Sequence, residues 1–312
     1  MVDFRVISAG LNIRSSEVLE PNNIIAVLLQ NQIVTRIGSE ADSDKWWQVR
    51  TSLMGRIIEG FVNKSFLASL LQTTDKVLWV VNYPSLEWFI DRAIFIKATA
   101  VAIRTDNDME TAISAFHAKG IKVYGWRWPS AQRDRALKEA NRVVELLSKG
   151  LDGYYVDPEG EKGKHYDWNQ PGLDEIAEEF CKKITISSPS KPFGTTSHFR
   201  GAKVFTKLPW NVFIKYSNIL LPQAYWRVEQ GSVSGGNPQK NYLTAIDEWQ
   251  LLGGSRGLIV PIAGELEHVN VAEIERYAEA AKMQGVSSLH FYTATESVKS
   301  DVWKVVANLQ IA

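Results

Sequence analysis

The sequence contains very little cysteine: Cys181 is the only one among 312 residues. A single thiol cannot form an internal disulfide bond or a cysteine-based metal cluster, and we expect Cys181 to be an apolar core residue. The 5 histidines show no spacing typical of metal ligands. The sequence therefore predicts neither a metal site nor another cofactor.

Several other signals are missing as well. Lys plus Arg and Asp plus Glu both number 35, so the formal net charge is +0 and nothing indicates the basic surface that binds nucleic acid. No apolar run approaches the roughly 18 residues of a membrane span. The start, Met1–Arg5, lacks the basic and apolar segments of a signal peptide, so we expect the chain to be cytoplasmic as synthesised. Glycine-rich nucleotide loops are absent.

Tryptophan, in contrast, is abundant, with 11 residues. Several of them lie next to predicted strand ends. The flat indole ring suits the apolar faces of sugar rings, but it also fills protein cores well. The tryptophans therefore indicate either a carbohydrate site or a large aromatic core.

Residues 1–70 have the pattern of a small all-β domain. Short runs rich in β-branched residues and leucine alternate with turn residues, which predicts strands at 3–8, 11–14, 24–29, 33–37, 46–51 and 56–62. Strands this short and closely spaced indicate a small barrel. The connection to the next domain falls at 72–75, so the second domain is predicted to cover residues 76–312.

Three segments of the first domain resemble bacterial SH3 domains: Leu11–Ser16, Trp46–Arg50 and Gly60–Asn63. They are similar to the LNIRSG, W(Y/W)KVR and GWV patterns of that family. The resemblance implies an SH3-like barrel that binds cell-wall peptide. A domain that only packs against its neighbour is the alternative.

Residues 76–312 alternate between strand and helix patterns. Eight apolar segments predict strands at 77–82, 99–105, 122–128, 153–159, 192–198, 219–226, 258–265 and 288–295. Helical patterns lie between them, at 108–119, 130–149, 173–183, 241–252 and 271–284, and a last one covers 297–309. Eight such units predict a (β/α)8 barrel. The alternative, a doubly wound open sheet, more often has about six strands.

Two carboxylates, Asp157 and Glu159, stand at alternate positions at the end of the fourth predicted strand. Alternate residues of a strand point to the same side, about 6–7 Å apart. Because the active site of a (β/α)8 barrel lies at this end of the strands, we expect both side chains to be accessible at its mouth. Neighbouring carboxylates shift each other's pKa, so that one can hold a proton while the other is charged, as cleavage of a glycosidic bond requires.

Polar and aromatic residues occupy the other strand ends. The candidates for substrate binding are Asn82, Arg104, Trp126, Trp128, Glu161, His198, Gln223, Trp226, Glu265 and Tyr292, and Tyr225 joins the catalytic pair. Several of these have simpler interpretations. Glu161 could be a solvated loop charge, His198 could bridge two loops, and the tryptophans could be packing residues. Arg104 could pair with a carboxylate of the fourth strand and hold it ionised.

The Asp157-x-Glu159 end of the fourth strand, the Gln223-x-Tyr225 end of the sixth and the aromatic last strand resemble (β/α)8 glycoside hydrolases that act on N-acetylhexosamine polymers. Family 25 lysozymes and family 18 chitinases are the two similar families. The resemblance implies hydrolysis of such a polymer, above all bacterial cell-wall peptidoglycan, by a protein released to the wall. It implies Glu159 as the general acid and Asp157 as an ionised stabiliser. Tyr225 and Gln223 would hold the acetamido group.

Two positions depart from these families. Asn82 stands where family 25 enzymes have an aspartate. Tyr155 replaces the second aspartate of the family 18 motif, whose first aspartate aligns with Asp152. A carbohydrate-binding barrel without catalysis therefore stays open as an alternative. A scaffold or assembly protein that uses the SH3-like domain for protein contacts is a further one.

Overall fold

The structure, a computed structural model, describes residues 2–30, 32–38, 45–53, 56–69 and 74–311. These residues form two compact units, and the boundary between the units falls between residues 73 and 74. In the described part of the chain, every helix is too short or too polar to span a lipid bilayer.

The N-terminal unit is an antiparallel sheet of seven strands. In chain order these are β1 (Val2–Val6), β2 (Gly10–Arg14), β3 (Ile24–Leu29), β4 (Ile33–Arg36), β5 (Trp46–Leu53), β6 (Arg56–Asn63) and β7 (Leu67–Ser69). Their order in the sheet is β3-β2-β6-β5-β4-β1-β7. The six predicted strands are confirmed, whereas β7 was missed because three residues are too few to show a periodicity.

Alternation of side chains builds the core of this unit. In β2, Leu11 and Ile13 are buried, and Asn12 between them points to the other side. Arg14 is buried as well, and its Nη1 donates to the carbonyl oxygen of Glu20 at 2.6 Å and to Oδ1 of Asn23 at 2.7 Å. Because a buried guanidinium needs such acceptors, these two bonds fix the segment before β3 against β2.

The C-terminal unit is a closed barrel of eight parallel strands. The barrel strands are β8 (Asp75–Val80), β9 (Ala100–Arg104), β10 (Lys122–Arg127), β11 (Gly153–Val156), β12 (Phe193–His198), β13 (Ile219–Gln223), β16 (Ile262–Ala263) and β17 (Ser288–Phe291). Between β13 and β16, β14 (Arg227–Val228) and β15 (Gly231–Ser232) form a separate short hairpin. Strand β17 pairs with β8, which closes the sheet. The predicted (β/α)8 barrel is confirmed, and the open-sheet alternative is wrong.

Helices cover the outside of the barrel. They are α1 (Leu86–Phe95), α2 (Met109–His117), α3 (Arg133–Ser148), α4 (Asp174–Ser187), α5 (Gly201–Val204), α6 (Trp210–Tyr216), α7 (Pro238–Leu251), α8 (Val271–Met283) and α9 (Ser300–Asn308). The six predicted helices are confirmed, but α1, α5 and α6 were missed. Helix α1 has a recognisable start, because the Ser85 side chain accepts from the N–H of Trp88 at 3.1 Å. Phe89 and Ala93, four residues apart, bury one face of α1.

Alternation along the barrel strands separates two apolar layers. In β8, Val77 and Trp79 point into the barrel, whereas Leu78 and Val80 pack in the layer between strands and helices. Cys181 of α4 belongs to this outer layer and is fully buried, as predicted. Because side chains fill the barrel interior, space for a ligand lies at its ends.

Gly153, at the start of β11, occupies a position that leaves no room for a side chain. A Cβ atom there would lie 2.6 Å from the carbonyl oxygen of Pro192 and 2.9 Å from Cδ1 of Tyr124. We expect Gly153→Ala to lower the free energy of unfolding by about 1–3 kcal/mol, because the backbone must move. Gly257→Ala is the matched control, since a Cβ at Gly257 has no neighbour within 4 Å. Thermal unfolding measures the stability of both variants. Equal melting temperatures for Gly153→Ala and Gly257→Ala would contradict this packing.

Candidate active site

The loop that follows β11 carries the two predicted catalytic carboxylates. The strand ends at Val156, so Asp157 and Glu159 lie just beyond it. The N–H of Asp157 donates to the carbonyl oxygen of Arg127 at 2.9 Å, and the carbonyl oxygen of Glu159 accepts from the N–H of Trp168 at 2.7 Å. These two bonds fix the backbone on either side, so both carboxylates face the same cavity.

A cavity of about 310 Å³ lies at the C-terminal end of the barrel strands. This volume falls in the range of small-ligand sites. The lining residues are Trp79, Trp126, Trp128, Asp157, Glu159, Tyr166, Thr196, Gln223, Tyr225, Glu265 and Tyr292. Eight of the thirteen predicted site residues therefore meet in one cavity.

One amide group connects the two carboxylates. Nε2 of Gln223 donates to Oδ1 of Asp157 at 3.0 Å and lies 3.4 Å from Oε1 of Glu159. The Trp128 side chain also lowers the pKa of the Asp157 carboxyl. Asp157 is only 3% exposed, whereas Glu159 is partly exposed. The expectation that both carboxylates are accessible is therefore met by Glu159 and not by Asp157.

Burial changes the protonation of this pair. It raises the pKa of Asp157 well above its usual range, and the neighbouring charge of Glu159 raises it further. Burial also raises the pKa of Glu159, against the hydrogen bond from Gln223, which lowers it. The two groups titrate together, and the deeper burial of Asp157 favours the shared proton there. The ionised Asp157 and protonated Glu159 that the resemblance implies for the reaction remain a prediction.

Aromatic rings form the walls of the cavity. Tyr225 and Tyr292 stack with their ring centres 5.2 Å apart and their planes at 14°. Trp126 and Trp128 meet edge to face, with ring centres 5.0 Å apart. The indole N–H of Trp126 donates to the carbonyl oxygen of Val80 at 3.0 Å, so this nearly buried ring is held rigidly. Such walls suit the apolar faces of sugar rings.

Three lining residues were not predicted. Trp79 shares the inner face of β8 with Val77, so the alternation of that strand could have identified it. Thr196 of β12 is buried, and within the described part of the chain its Oγ1 has no hydrogen-bond partner. Tyr166 comes from the long loop after β11 and donates to Oε2 of Glu161 at 2.5 Å. A loop has no periodicity, so no sequence signal pointed to Tyr166.

Asn82 and Arg104 lie beside the cavity without lining it. Nε of Arg104 donates to Oδ1 of Asp106 at 2.6 Å, and its Nη2 donates to Oδ1 of Asn82 at 2.9 Å. The guanidinium carbon lies 5.7 Å from the ring centre of Trp128. The suggested ion pair between Arg104 and a fourth-strand carboxylate is therefore wrong, because Asp106 holds the guanidinium. Arg104 therefore supports the Trp128 ring, and Asn82 helps to hold Arg104.

Glu161 and His198 also lie outside the cavity lining. Glu161 is exposed, in agreement with the simpler interpretation of a loop charge, and it contacts Tyr166. Nδ1 of His198 accepts from the N–H of Arg200 at 3.0 Å, and its ring stacks on Phe199. Burial lowers the pKa of His198 to about 4, so the ring is neutral at pH 7. Its contacts are those of a structural residue.

The prediction that Trp226 offers a stacking surface is wrong. Its ring is fully buried, and its indole N–H donates to Oε2 of Glu273 at 3.3 Å. Successive residues of an extended segment point to opposite sides. Because Tyr225 faces the cavity, Trp226 faces the surrounding helices.

The structure also locates the two positions that align with the first carboxylates of the family 18 motif. Oδ2 of Asp152 accepts from the N–H of Val123 at 2.7 Å and lies 2.7 Å from Nε2 of His117, at the opposite end of β11 from Asp157. Tyr155 stacks on an inner tryptophan inside the barrel. Only the last two carboxylates of that motif are therefore present at the mouth.

Glu265, Glu267 and His268 form a second polar group beside the cavity. Their potential ligand atoms lie within 4.8 Å of one another. Oε2 of Glu265 already accepts from the N–H of Glu229 at 3.1 Å, and Oε2 of Glu267 accepts from Thr295 at 3.0 Å. These hydrogen bonds account for the positions of the two glutamates without a bound ion. That the protein binds no metal remains a prediction.

The fold is similar to solved structures of glycoside hydrolases. The Group IV chitinase of Ostrinia furnacalis, in complex with allosamidin, has a TM-score of 0.54 at 9% identity, over 75% of this chain and 97% of that chain. The PgaB (BpsB) glycoside hydrolase domain of Bordetella bronchiseptica has a TM-score of 0.51 at 10% identity, over 74% and 98%. The GH2 beta-galacturonidase of Eisenbergiella tayi, bound to galacturonate, reaches 0.53 at 11% identity, over 98% and 68%. No family model matches the sequence, and no curated protein matches it. At these identities the similarity shows the barrel fold alone.

Proposed function

We propose that the protein is a glycoside hydrolase that cleaves a polymer containing N-acetylhexosamine, with bacterial cell-wall peptidoglycan as the preferred source. The observation that carries the proposal is the pair Asp157 and Glu159, which share the amide of Gln223 in a cavity walled by aromatic rings. A carboxyl pair with separated protonation is what acid-assisted cleavage needs. The aromatic walls supply the surface on which a sugar ring can stack.

The proposed reaction uses the acetamido group of the substrate itself. Its carbonyl oxygen attacks the anomeric carbon while the bond to the leaving oxygen breaks, and Glu159 gives its proton to that oxygen. Asp157, ionised at this stage, stabilises the positive charge that develops on the acetamido group. Water then opens the cyclic intermediate, and the Glu159 carboxylate takes up the proton of the water. Tyr225 and Gln223 line the same space and are placed to hold the acetamido group.

The protonation of the free pair must reverse when substrate binds. Without substrate the shared proton favours Asp157, because this side chain is the more buried. An acetamido N–H beside Asp157 offers a hydrogen bond to the charged carboxylate and so lowers its pKa. The proton is then released to Glu159, which faces the leaving group.

A carbohydrate-binding barrel without catalysis is the second candidate. One observation favours it: Tyr155 stands where the family 18 motif has an aspartate, and this tyrosine is packed against the Trp79 ring with centres 5.3 Å apart. The site therefore has the last two carboxylates of that motif, Asp157 and Glu159, and lacks the aspartate that the motif has two residues before Asp157.

A product assay distinguishes the two candidates. We expect new reducing ends when the protein is incubated with acetylated chitin oligomers or with peptide-free peptidoglycan strands. Cellulose oligomers of equal length are the control, because they lack the acetamido group and should stay intact. Oligomers that bind in calorimetry but are recovered unchanged would support the binding barrel and contradict hydrolysis.

For the N-terminal unit we propose an SH3-like module that binds cell-wall peptide. The supporting features are its sheet of short antiparallel strands and a cavity of about 130 Å³, which is lined by residues of the SH3-like sequence segments, including Leu11, Asn12, Trp46 and Asn63. A tryptophan beside polar side chains suits a peptide, because one ring can pack against a side chain while neighbouring groups bind the backbone.

A further inference from the structure

The charge of the cavity is strongly one-sided. Asp157, Glu159 and Glu265 line it, and none of the lining residues, all of which belong to the described part of the chain, is Lys, Arg or His. The guanidinium of Arg104, which lies near the lining residue Trp128, is already bound to Asp106 and to the side-chain oxygen of Asn82. The cavity therefore holds more negative charge than the acid and stabiliser of the proposed reaction require.

Glu265 is the carboxylate that the proposed chemistry does not use. It follows β16, and its Oε2 accepts from the N–H of Glu229 at 3.1 Å, which fixes the side chain. Burial raises the pKa of Glu265, and this hydrogen bond lowers it. Around it lie Glu267 and His268, whose Nε2 is 3.4 Å from Oε2 of Glu265.

Two tyrosines connect Glu265 with the catalytic pair. The ring of Tyr225 packs so closely over Gly264 that a Cβ there would lie 2.6 Å from it. Burial raises the pKa of the Tyr225 and Tyr292 hydroxyls, and the charges of all three carboxylates raise it further. The three carboxylates thus surround one continuous space, with Glu265 on one side and the catalytic pair on the other.

We propose that this space receives a partially N-deacetylated polymer, in which the free ammonium group of a glucosamine unit pairs with Glu265. This inference rests on the proposed function, because an acetylated unit must lie over Asp157 and Glu159. An ammonium group offers three donors and a positive charge, which a fixed carboxylate binds better than a neutral acetamide.

The test compares two oligomers of equal length, one fully acetylated and one partially deacetylated. We expect wild type to cleave the partially deacetylated oligomer with a kcat/KM at least about tenfold higher. Glu265→Gln should remove most of this preference through KM, because a neutral amide cannot pair with the ammonium group. Glu267→Gln, which changes a neighbouring carboxylate outside the cavity, is the matched control and should keep the preference.

Calorimetry with the same oligomers separates this inference from the proposed function. If neither oligomer is cleaved but the deacetylated one binds more tightly and Glu265→Gln abolishes the difference, hydrolysis is refuted and the amine site is upheld. If wild type cleaves or binds both oligomers equally, the amine site is refuted. A Glu265→Gln variant that weakens both oligomers by the same factor, or a Glu267→Gln variant that loses the preference, would refute it too.

Discussion

Glu159→Gln is expected to reduce the release of reducing ends from an N-acetylhexosamine polymer by at least about 100-fold. Glutamine has nearly the shape of glutamate, but its amide N–H groups are too weakly acidic to protonate the leaving oxygen. The backbone at this position is held by the hydrogen bond from the N–H of Trp168, so the loop should keep its conformation. Oligomer binding should therefore persist in calorimetry while the rate falls.

Glu161→Gln provides the matched control for this variant. Glu161 lies two residues further along the same loop and is exposed, and it does not line the cavity. Its substitution removes one negative charge from the same loop and should leave the rate within about threefold of wild type. Equal rates for wild type and Glu159→Gln would exclude Glu159 as the general acid, and a comparable loss in Glu161→Gln would indicate a general effect of loop charge.

The barrel could be predicted because its signals are local. Each barrel strand is a short apolar run followed by polar residues, and the pattern of eight such runs with helices between them has few other solutions. The convergence of Asp157, Gln223 and Tyr225 follows from the same rule, since strand ends of a parallel barrel meet at one mouth. To predict which side chains meet there, one needs only the direction in which each side chain points, and the alternation along a strand gives that direction.

The site residues were predicted wrongly or missed where the alternation of side chains along a strand was not applied, or where the residue lies in a loop without alternation. Trp226 was included with Tyr225 although consecutive residues face opposite sides, and Trp79 was overlooked although it shares the inner face of β8. Tyr166 lies in a loop whose course depends on tertiary contacts, among them the hydrogen bond from the indole N–H of Trp168 to the carbonyl oxygen of Pro129 at 2.8 Å. Such contacts join residues from different segments, so no local pattern encodes them.

The protonation of the Asp157 and Glu159 carboxyl pair could not be predicted from spacing alone. Two neighbouring carboxylates predict that their pKa values separate, but they do not show which one is raised more. The depth of burial decides this, and the low exposure of Asp157 results from the surrounding aromatic rings and from Gln223 on another strand. The deeper burial of Asp157 therefore favours its protonated form, although the family resemblance treats this residue as ionised during the reaction.

Asp157→Asn is expected to lower activity about 100- to 1,000-fold, because the charge that stabilises the developing positive charge is removed. The amide cannot replace it, although it keeps the size of the side chain and one acceptor for Gln223. Calorimetry with an uncleaved oligomer should show that binding changes far less than the rate. If the rate remains near that of wild type, Asp157 has no electrostatic role in the reaction.

The same variant should change how stability depends on pH. Burial raises the pKa of Asp157 in the folded state above its unfolded value of about 3.9. Between these two values the folded state binds more protons, so the contribution of Asp157 to stability is complete below the unfolded pKa and is lost as the pH rises through the folded pKa. We therefore expect the melting temperature of wild type to fall relative to that of Asp157→Asn between about pH 4 and neutrality. Glu161→Gln, as the control for charge loss, should follow wild type, whereas parallel curves for wild type and Asp157→Asn would show that the buried carboxyl does not destabilise the folded protein.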